Sequence, residues 1–284
     1  MAVGSPPTVR RRQLGRELRR LREDAGLHLD QMAEQLRCSP SRLSRIETAR
    51  IRITPGTVHE ILDALDIHDD RRDRLVTLAR QAEEPNWWQE YTDVLPYEYA
   101  TFIALEAEAA SLRVFEPMVV YGLLQTEDYA REVVRFGRRF PADEVEARVA
   151  ARMARQAVLT RAEPVDLHVI LDEATLIRTV GGPAVMRGQM RRLLDLAELP
   201  KVHIQVLPAT AAGTVMNLTG PFVVIDLAGS DDPPIVYLEI LAGDVYVERA
   251  SIVQMYDSIF QSLCAEALDE KRSMDMIAQL ARNL

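Results

Sequence analysis

The chain has 284 residues, 48% of them hydrophobic, which is enough for two domains that each bury a core. It has no run of about 18 apolar residues that could cross a membrane, and Met1 to Thr8 lack the apolar stretch of a signal peptide. We therefore expect a cytoplasmic protein. Its two cysteines, Cys38 and Cys264, lie too far apart to predict a disulfide framework or a metal site.

The formal net charge of −9 is distributed unevenly. Residues 1–52 carry 12 arginines and 6 acidic side chains, a charge of +6, whereas the rest of the chain carries −15. A basic front end on an acidic body is expected when only one domain contacts nucleic-acid phosphates. A basic surface that binds no partner would also explain the charge. The sequence motifs distinguish this explanation from nucleic-acid binding.

The first segment, residues 1–12, is predicted to be a flexible basic arm. Its triplet Arg10-Arg11-Arg12 has two equally weighted interpretations, an arm that reaches DNA phosphates or the solvated start of a helix. From Gln13 to Asp24 the leucines recur at helical spacing, which predicts the first helix of the chain.

Two short helices joined by a tight turn are predicted between Leu29 and Glu47. Apolar residues from Leu29 to Leu36 follow the spacing of one helical face. Ser39 and Pro40 then start a second helix, because serine caps a helix N-terminus and proline suits the first helical position. Such a pair is typical of a helix-turn-helix, whose second helix reads DNA. The polar side chains on the open face of this second helix are Ser41, Arg42, Ser44 and Arg45.

Two further helices complete an all-α domain over residues 13–82. One begins at Thr54-Pro55, which repeats the pattern of a hydroxyl cap and a proline, and the other runs from Asp69 to Gln81. Residues 83–90 form the predicted linker. Its pair Trp87-Trp88 is expected to dock the linker onto the next domain, with ligand stacking as the alternative.

The segments Leu18…Leu21-Arg22, Met32-Ala33-Glu34 and Ser44-Arg45-Ile46-Glu47, in this order and spacing, resemble the phage-repressor-like (xenobiotic-response-element) family of transcriptional regulators. The resemblance covers residues 13–82 and implies dimeric binding to a pseudo-palindromic operator, with helix 40–47 in the major groove. It also implies a structural ion pair between Glu47 and Arg22. The side chains that would face base edges are Ser41, Arg42 and Arg45. Those left for phosphate or mixed contacts are Ser39, Ser44, Arg50 and Arg52.

Residues 91–284 are predicted to form an α+β domain. Helical spacing continues from Tyr99 to Leu112, returns after Thr126 and covers residues 143–161. A strand–helix–strand step predicts a parallel pair and the short later connections predict hairpins, so a mixed sheet of about five strands is expected. The predicted strands are 165–171, 201–207, 222–227, 235–241 and 244–248, followed by a helix from Ala250 to Ala267 and a shorter one near the end.

This second half resembles the C-terminal domain of a large group of actinobacterial helix-turn-helix regulators. The motifs that carry the resemblance are Phe115-x-Pro117, Gly122-Leu-Leu-Gln-Thr-x-x-Tyr-Ala130, Arg152-x-x-Arg-Gln156, Asp172-Glu-Ala-x-Leu176 and Tyr237-Leu-Glu239. Tyr121 replaces a proline that the pattern expects, which would alter this loop. The resemblance implies transcriptional control, often beside a small partner protein in an antitoxin-like pairing.

No motif for catalysis is found. The sequence has neither a Gly-rich phosphate loop nor a Gly-x-Ser-x-Gly elbow, so we predict a protein that is not an enzyme and needs no cofactor. Polar residues within apolar segments must be paired, which leaves two interpretations of the second domain's charges, a structural network or a ligand pocket. Two of these residues are histidines, for which hydrogen-bonded, half-buried positions are favoured over a metal site. The candidate pocket residues are Arg152, Arg155, His168, His203 and Glu239.

Taken together, the residues predict a sequence-specific DNA-binding transcriptional regulator, either a repressor or an activator, that acts as a homodimer on double-stranded DNA. Its C-terminal domain would set the dimer geometry and receive a signal. Two alternatives concern that signal: an antitoxin-like regulator controlled by a small protein encoded nearby, or a sensor that binds a small-molecule effector in the C-terminal domain.

Overall fold

The computed structural model describes residues 9–83, 91, 95–137, 140–211, 219–227, 233–240 and 243–284. The chain divides into two compact units, Met1–Thr92 with Pro96–Leu105, and Asp93–Leu95 with Glu106–Leu284. Of the predicted linker 83–90, only residue 83 is among the described residues, so the expected docking by Trp87 and Trp88 lies outside them. None of the described helices combines the length and apolar composition of a membrane span.

The first unit contains α1 (Val9–Asp24), α2 (Leu29–Gln35), α3 (Pro40–Glu47), α4 (Pro55–Ala64) and α5 (Asp70–Ala82). Three of these helices begin where the sequence supplies a cap. The side-chain oxygens of Ser39, Thr54 and Asp69 accept hydrogen bonds from first-turn backbone N–H groups of α3, α4 and α5. Because α1 begins at Val9, the triplet Arg10-Arg11-Arg12 is helical, which corresponds to the second of its two interpretations.

These helices enclose one hydrophobic core. Leu14 and Leu18 of α1, Met32 of α2 and Leu43 of α3 are fully or almost fully buried in it. The helices are short, and their stability comes from burying apolar faces rather than from intrinsic propensity. The core therefore fixes which face of α3 remains open to solvent.

Helix α6 (Tyr97–Ala107) is followed at once by strand β1 (Ala109–Glu116). The prediction that helical structure continues to Leu112 is wrong, because the residues from Ala109 to Leu112 belong to β1. β1 pairs with one strand on each side, and Leu112, Val114 and Phe115 are fully buried, whereas Ser111 and Arg113 are only partly buried.

The remaining elements of the second unit alternate helices with strands. In chain order they are a 3-10 turn (Gly122–Leu124), α7 (Glu127–Gly137), α8 (Ala142–Arg155), a second 3-10 turn (Gln156–Leu159), β2 (Asp166–Asp172), α9 (Glu173–Ile177), α10 (Pro183–Leu196), β3 (Val202–Leu207), β4 (Phe222–Leu227), β5 (Ile235–Ile240), β6 (Gly243–Val247), α11 (Ala250–Glu266) and α12 (Glu270–Asn283).

The described strands form one sheet in the order β3-β2-β1-β4-β5-β6. β1, β2 and β3 are parallel, while β4, β5 and β6 extend the sheet in antiparallel pairs. The predicted α+β domain with a mixed sheet is confirmed, with six strands instead of about five because β1 was missed.

The two faces of this sheet differ in their environment. On the α11 face, Phe115, Phe222 and Val236 pack with Val253 and Phe260 of α11. The opposite face carries the side chains that alternate with these, including a row formed by Val114 of β1, Val223 of β4 and Tyr237 of β5, all of them buried. The polar residues that the sequence analysis placed in one candidate pocket are divided between these two faces.

Candidate nucleic-acid interface

Helix α3 is amphipathic, and its N-terminus is capped. The hydroxyl oxygen of Ser39 accepts a hydrogen bond from the Arg42 backbone N–H at 3.2 Å, and Pro40 occupies the first turn. On the inner side Leu43 and Ile46 are buried, which anchors the helix to the core. The opposite side is therefore fixed in orientation and open to a partner.

The side chains expected to face base edges lie on this open side. Ser41, Arg42 and Arg45 are all exposed. The Arg45 Nε donates a long hydrogen bond of 3.3 Å to the Ser41 carbonyl oxygen, which leaves the end of the guanidinium available. Ser44 is half-buried, and its carbonyl oxygen accepts from the Thr48 hydroxyl at 2.6 Å, so this residue lies at the margin of the open side.

The residues expected to contact phosphate differ in their surroundings. Ser39 is exposed, but its hydroxyl serves as the helix cap. Arg50 is exposed just after α3. The Arg52 Nε donates to a Glu83 carboxylate oxygen at 2.8 Å, an ion pair that competes with a phosphate contact. Arg50 is thus better placed for phosphate than Arg52.

A buried ion pair holds the end of α3 against α1. The Arg22 Nε and Nη2 donate to the two Glu47 carboxylate oxygens at 2.6 and 2.9 Å, and Arg22 Nη1 donates to the Leu27 carbonyl oxygen at 2.8 Å. The carboxylate of Glu47 raises the pKa of Arg22 above its usual value, so this guanidinium stays charged. The expected structural pairing of these two residues is confirmed.

Gly15 lies at the contact between α1 and α3 and was not identified from the sequence. A methyl group added to Gly15 of α1 would lie 2.6 Å from the Glu47 carbonyl oxygen and 2.9 Å from that of Ile46. Both are backbone atoms of α3, so the close approach of α1 and α3 requires a residue without a side chain here. The sequence signal was a lone glycine inside a helical pattern, which often marks close packing.

In the second unit, the histidines predicted for a pocket lie on the α11 face. His168 and His203 are register partners in β2 and β3, with ring centroids 6.0 Å apart. The His168 Nε2 is 2.7 Å from Gln205 Oε1, and burial lowers the pKa of its imidazole. His203 Nδ1 is 2.9 Å from a Glu270 carboxylate oxygen. Among the described residues no group of three possible metal ligands converges.

Glu239 lies on the opposite face of the sheet, as the strand register shows. His168, Arg113, Val224 and Val236 share one row on the α11 face, and Glu239 is three residues beyond Val236 in the same strand. Since side chains alternate between faces, Glu239 cannot join the histidines. The predicted grouping of all five pocket residues is therefore wrong.

Arg155 is occupied by a structural pair. Its Nε and Nη2 donate to the Glu106 carboxylate at 2.7 and 2.8 Å, and the two side chains are 3% and 1% exposed. The Tyr121 hydroxyl donates to the same carboxylate at 2.6 Å. At Tyr121 the backbone φ is −56°, which is the value that proline imposes. Tyr121 therefore has the backbone angle that the expected proline would impose, and its hydroxyl adds a hydrogen bond.

Comparison with protein families assigns both halves of the chain. Residues 13–75 match the family model for a helix-turn-helix domain, and residues 99–279, more than half of the chain, match a domain of unknown function (DUF5753). The chain belongs to the DUF5753 family. Searches of curated proteins and of solved structures found no match.

This DUF5753 protein is accordingly a helix-turn-helix regulator with a C-terminal domain to which the comparison assigns no activity. The helix-turn-helix match supports DNA binding, in agreement with the open basic side of α3.

Proposed function

We propose that the protein regulates transcription by occupying a pseudo-palindromic operator as a homodimer, with α3 of each copy in the major groove. The observation that carries this proposal is the two-sided character of α3, apolar and buried on one side and exposed with Arg42 and Arg45 on the other. An arginine side chain can donate two hydrogen bonds to guanine O6 and N7, and each good pair contributes about 1–3 kcal/mol of discrimination.

The surroundings of α3 support a phosphate-contacting role for Arg50, which stands exposed directly after the helix. Phosphate contacts position the protein on the duplex without reading sequence. Ser41, Arg42 and Arg45 are then the base-reading set, with Ser44 and Ser39 at its edge. The strong positive charge of residues 1–52 adds a long-range attraction to DNA that salt weakens.

Dimerisation supplies affinity that one short recognition helix lacks. Linking two half-site contacts raises the effective concentration of the second contact, provided that the two recognition helices are about 34 Å apart, one turn of DNA. We assign the dimer contact to the C-terminal domain. In this scheme the acidic C-terminal domain sets the dimer geometry and so governs which operators are occupied.

The test is selection of binding sites from random DNA with the full-length protein, followed by light scattering of the free protein. The proposal predicts two inverted half-sites with centres about 10 base pairs, or a multiple of that, apart. It also predicts a mass of twice the 32.0 kDa chain. A single half-site together with a monomeric mass would contradict the dimer.

A further inference from the structure

A cleft in the second unit lies between the second 3-10 turn and the C-terminal half of α10. Its volume is about 350 Å³, which is within the range of small-molecule sites. None of the residues that the sequence analysis placed in a candidate pocket lines this cleft. Its walls combine the apolar side chains of Leu159, Leu196 and Leu199 with the polar side chains of Gln156, Arg192 and Asp195.

The inner wall of the cleft is apolar. Leu159 of the 3-10 turn is 4% exposed and Leu196 of α10 is 3% exposed, so both are held in the packed interior. Leu199, just after α10, is partly buried. Covering apolar surface of this kind stabilises a complex in proportion to the area removed from water. The inner wall therefore favours a ligand with an apolar body.

The guanidinium of Arg192 is held in a fixed orientation at the cleft. Its Nη2 donates to Gln156 Oε1 at 3.1 Å. The amide of Gln156 is held in turn, because its Nε2 donates to the Gln125 carbonyl oxygen at 2.7 Å and, less closely, to the Gly122 carbonyl oxygen at 3.4 Å. Both acceptors are backbone atoms, so the Oε1 atom of this amide has to face Arg192. A cation that is oriented before binding loses less entropy when a ligand binds.

Asp195 lies three residues after Arg192 in α10 and lines the same cleft. This spacing commonly lets an arginine and an aspartate pair on a helix. Here the two side chains form no ion pair with each other, and neither has another charged partner within the part of the chain that the structure describes. The remaining nitrogens of Arg192 are not buried and can be reached from the cleft. A positive and a negative group thus border one cleft, each with unused hydrogen-bonding capacity.

We propose that this cleft binds a small carboxylic acid that has an apolar body and a hydrogen-bond donor on the carbon next to its carboxyl group. The carboxylate pairs with Arg192, because a planar carboxylate matches the edge of a guanidinium in charge-assisted hydrogen bonds. The donor, an amino or a hydroxyl group, binds Asp195, and the apolar body lies against the leucines of the inner wall. α-Amino acids and α-hydroxy acids share this chemistry. The site goes beyond the proposed DNA binding and does not depend on it.

The two charges at the cleft disfavour simpler ligands. A carboxylic acid without the donor satisfies Arg192 but brings a second negative charge close to Asp195. An amine without the carboxylate satisfies Asp195 but brings a second positive charge close to Arg192. A molecule that carries both an acceptor and a donor satisfies both residues, and its apolar body uses the wall between the cleft and the core.

The experiment is a thermal-shift measurement on the full-length protein without DNA, followed by calorimetry. The ligands are leucine, phenylalanine and the hydroxy acids with the same side chains, leucic acid and phenyllactic acid. We expect at least one of them to raise the melting temperature by binding the folded state. Which of them bind shows whether the donor is an amino or a hydroxyl group.

Matched acids test each part of the proposed ligand. Isocaproic acid and hydrocinnamic acid keep the carboxylate and the apolar body but lack the donor. Glycine and glycolic acid keep the carboxylate and the donor but lack the apolar body. Each should bind at least about tenfold more weakly than its parent, as expected when one hydrogen bond to a charged group or one apolar contact is lost.

Variants then test the residues. Arg192→Gln should weaken binding at least about tenfold, whereas Arg191→Gln, at an exposed neighbouring position outside the cleft, should bind like the wild type. Asp195→Ala should bind the acid without the donor as tightly as its parent, whereas Glu198→Ala, also exposed and outside the cleft, should keep the preference for the parent. Asp195 is exposed, so its variant remains informative if Arg192→Gln fails to fold.

Three results would overturn the proposal. They are that none of the amino acids and hydroxy acids binds, that an acid without the donor binds the wild type as tightly as its parent, or that folded Arg192→Gln or Asp195→Ala binds with wild-type affinity and preference. Operator binding, measured on the same preparations, reports separately on the proposed function.

Discussion

Arg22 and Glu47 face each other across α1 and α3 in two parallel hydrogen bonds of 2.6 and 2.9 Å, and their side chains are only 9% and 5% exposed. The pair joins the last turn of α3 to the first helix of the domain. It therefore holds fixed the face of α3 on which Arg42 and Arg45 are exposed.

Breaking this pair should destabilise the DNA-binding domain strongly. Removing one partner of a buried ion pair leaves the other charge buried and uncompensated, which costs about 3–5 kcal/mol. We expect Glu47→Ala to lower the free energy of unfolding by this amount in urea titrations. Glu34→Ala, which removes an exposed carboxylate of α2, is the control and should leave the transition nearly unchanged. Equal stability of the two variants would contradict the structural role of Glu47.

Gly15→Ala should displace α3. The added methyl group would lie 2.6 Å from the Glu47 carbonyl oxygen, so α1 and α3 have to separate, and such overpacking costs about 1–3 kcal/mol. Elsewhere in a helix the same substitution stabilises by roughly 0.5–1 kcal/mol. Gly188→Ala in α10, where the methyl group would meet nothing within 4 Å, is the matched control. Thermal unfolding and operator titration should both show a loss for Gly15→Ala, and a gain in stability there would refute the close approach.

Glu116 should make the stability of the second unit depend on pH. Its pKa is about 8 in the folded protein, against an ordinary value of 4.5. Between these values the folded state holds a proton that the unfolded chain has lost. The free energy of unfolding therefore falls as pH rises, by at most about 1.4 kcal/mol per pH unit. Unfolding experiments from about pH 5.5 to 7.5 should show a shallower fall for Glu116→Gln, whereas Glu163→Gln should retain the wild-type slope. Parallel curves for all three proteins would contradict the raised pKa.

Tyr121→Phe should weaken the network around Glu106. The Tyr121 hydroxyl donates to that buried carboxylate at 2.6 Å, and a hydrogen bond to a charged group contributes about 1.5–3 kcal/mol. Tyr256→Phe removes a hydroxyl from a ring that packs on Phe222 and serves as the control. Urea unfolding should show a clear loss only for Tyr121→Phe. An equal loss in both variants would mean that the hydroxyl of Tyr121 has no special partner.

Sequence reasoning succeeded where the signal was local. Ser39 and Thr54 marked the starts of α3 and α4, because a capping oxygen acts within one helical turn. The resemblance to a known family added the pairing of Arg22 with Glu47, which lie 25 residues apart and which no periodicity connects.

It failed where long-range packing decides the structure. β1 begins directly after α6 and was predicted to be the end of that helix, and its pairing with β2 and β4 makes it a strand. The polar residues of the second domain were grouped by chemistry alone, whereas the sheet register sends His168 to one face and Glu239 to the other.

The most direct test of the central claim is a titration of the selected operator with wild type, Arg42→Ala, Arg45→Ala and Arg74→Ala. Arg74 is exposed on α5 of the same unit and controls for the loss of one positive charge. Loss of a base contact worth about 1–3 kcal/mol should weaken binding by about 5- to 150-fold in the two α3 variants and relax selectivity at one operator position. Arg74→Ala should bind almost as tightly as the wild type. If all four proteins bind with equal affinity and equal selectivity, α3 does not read the operator.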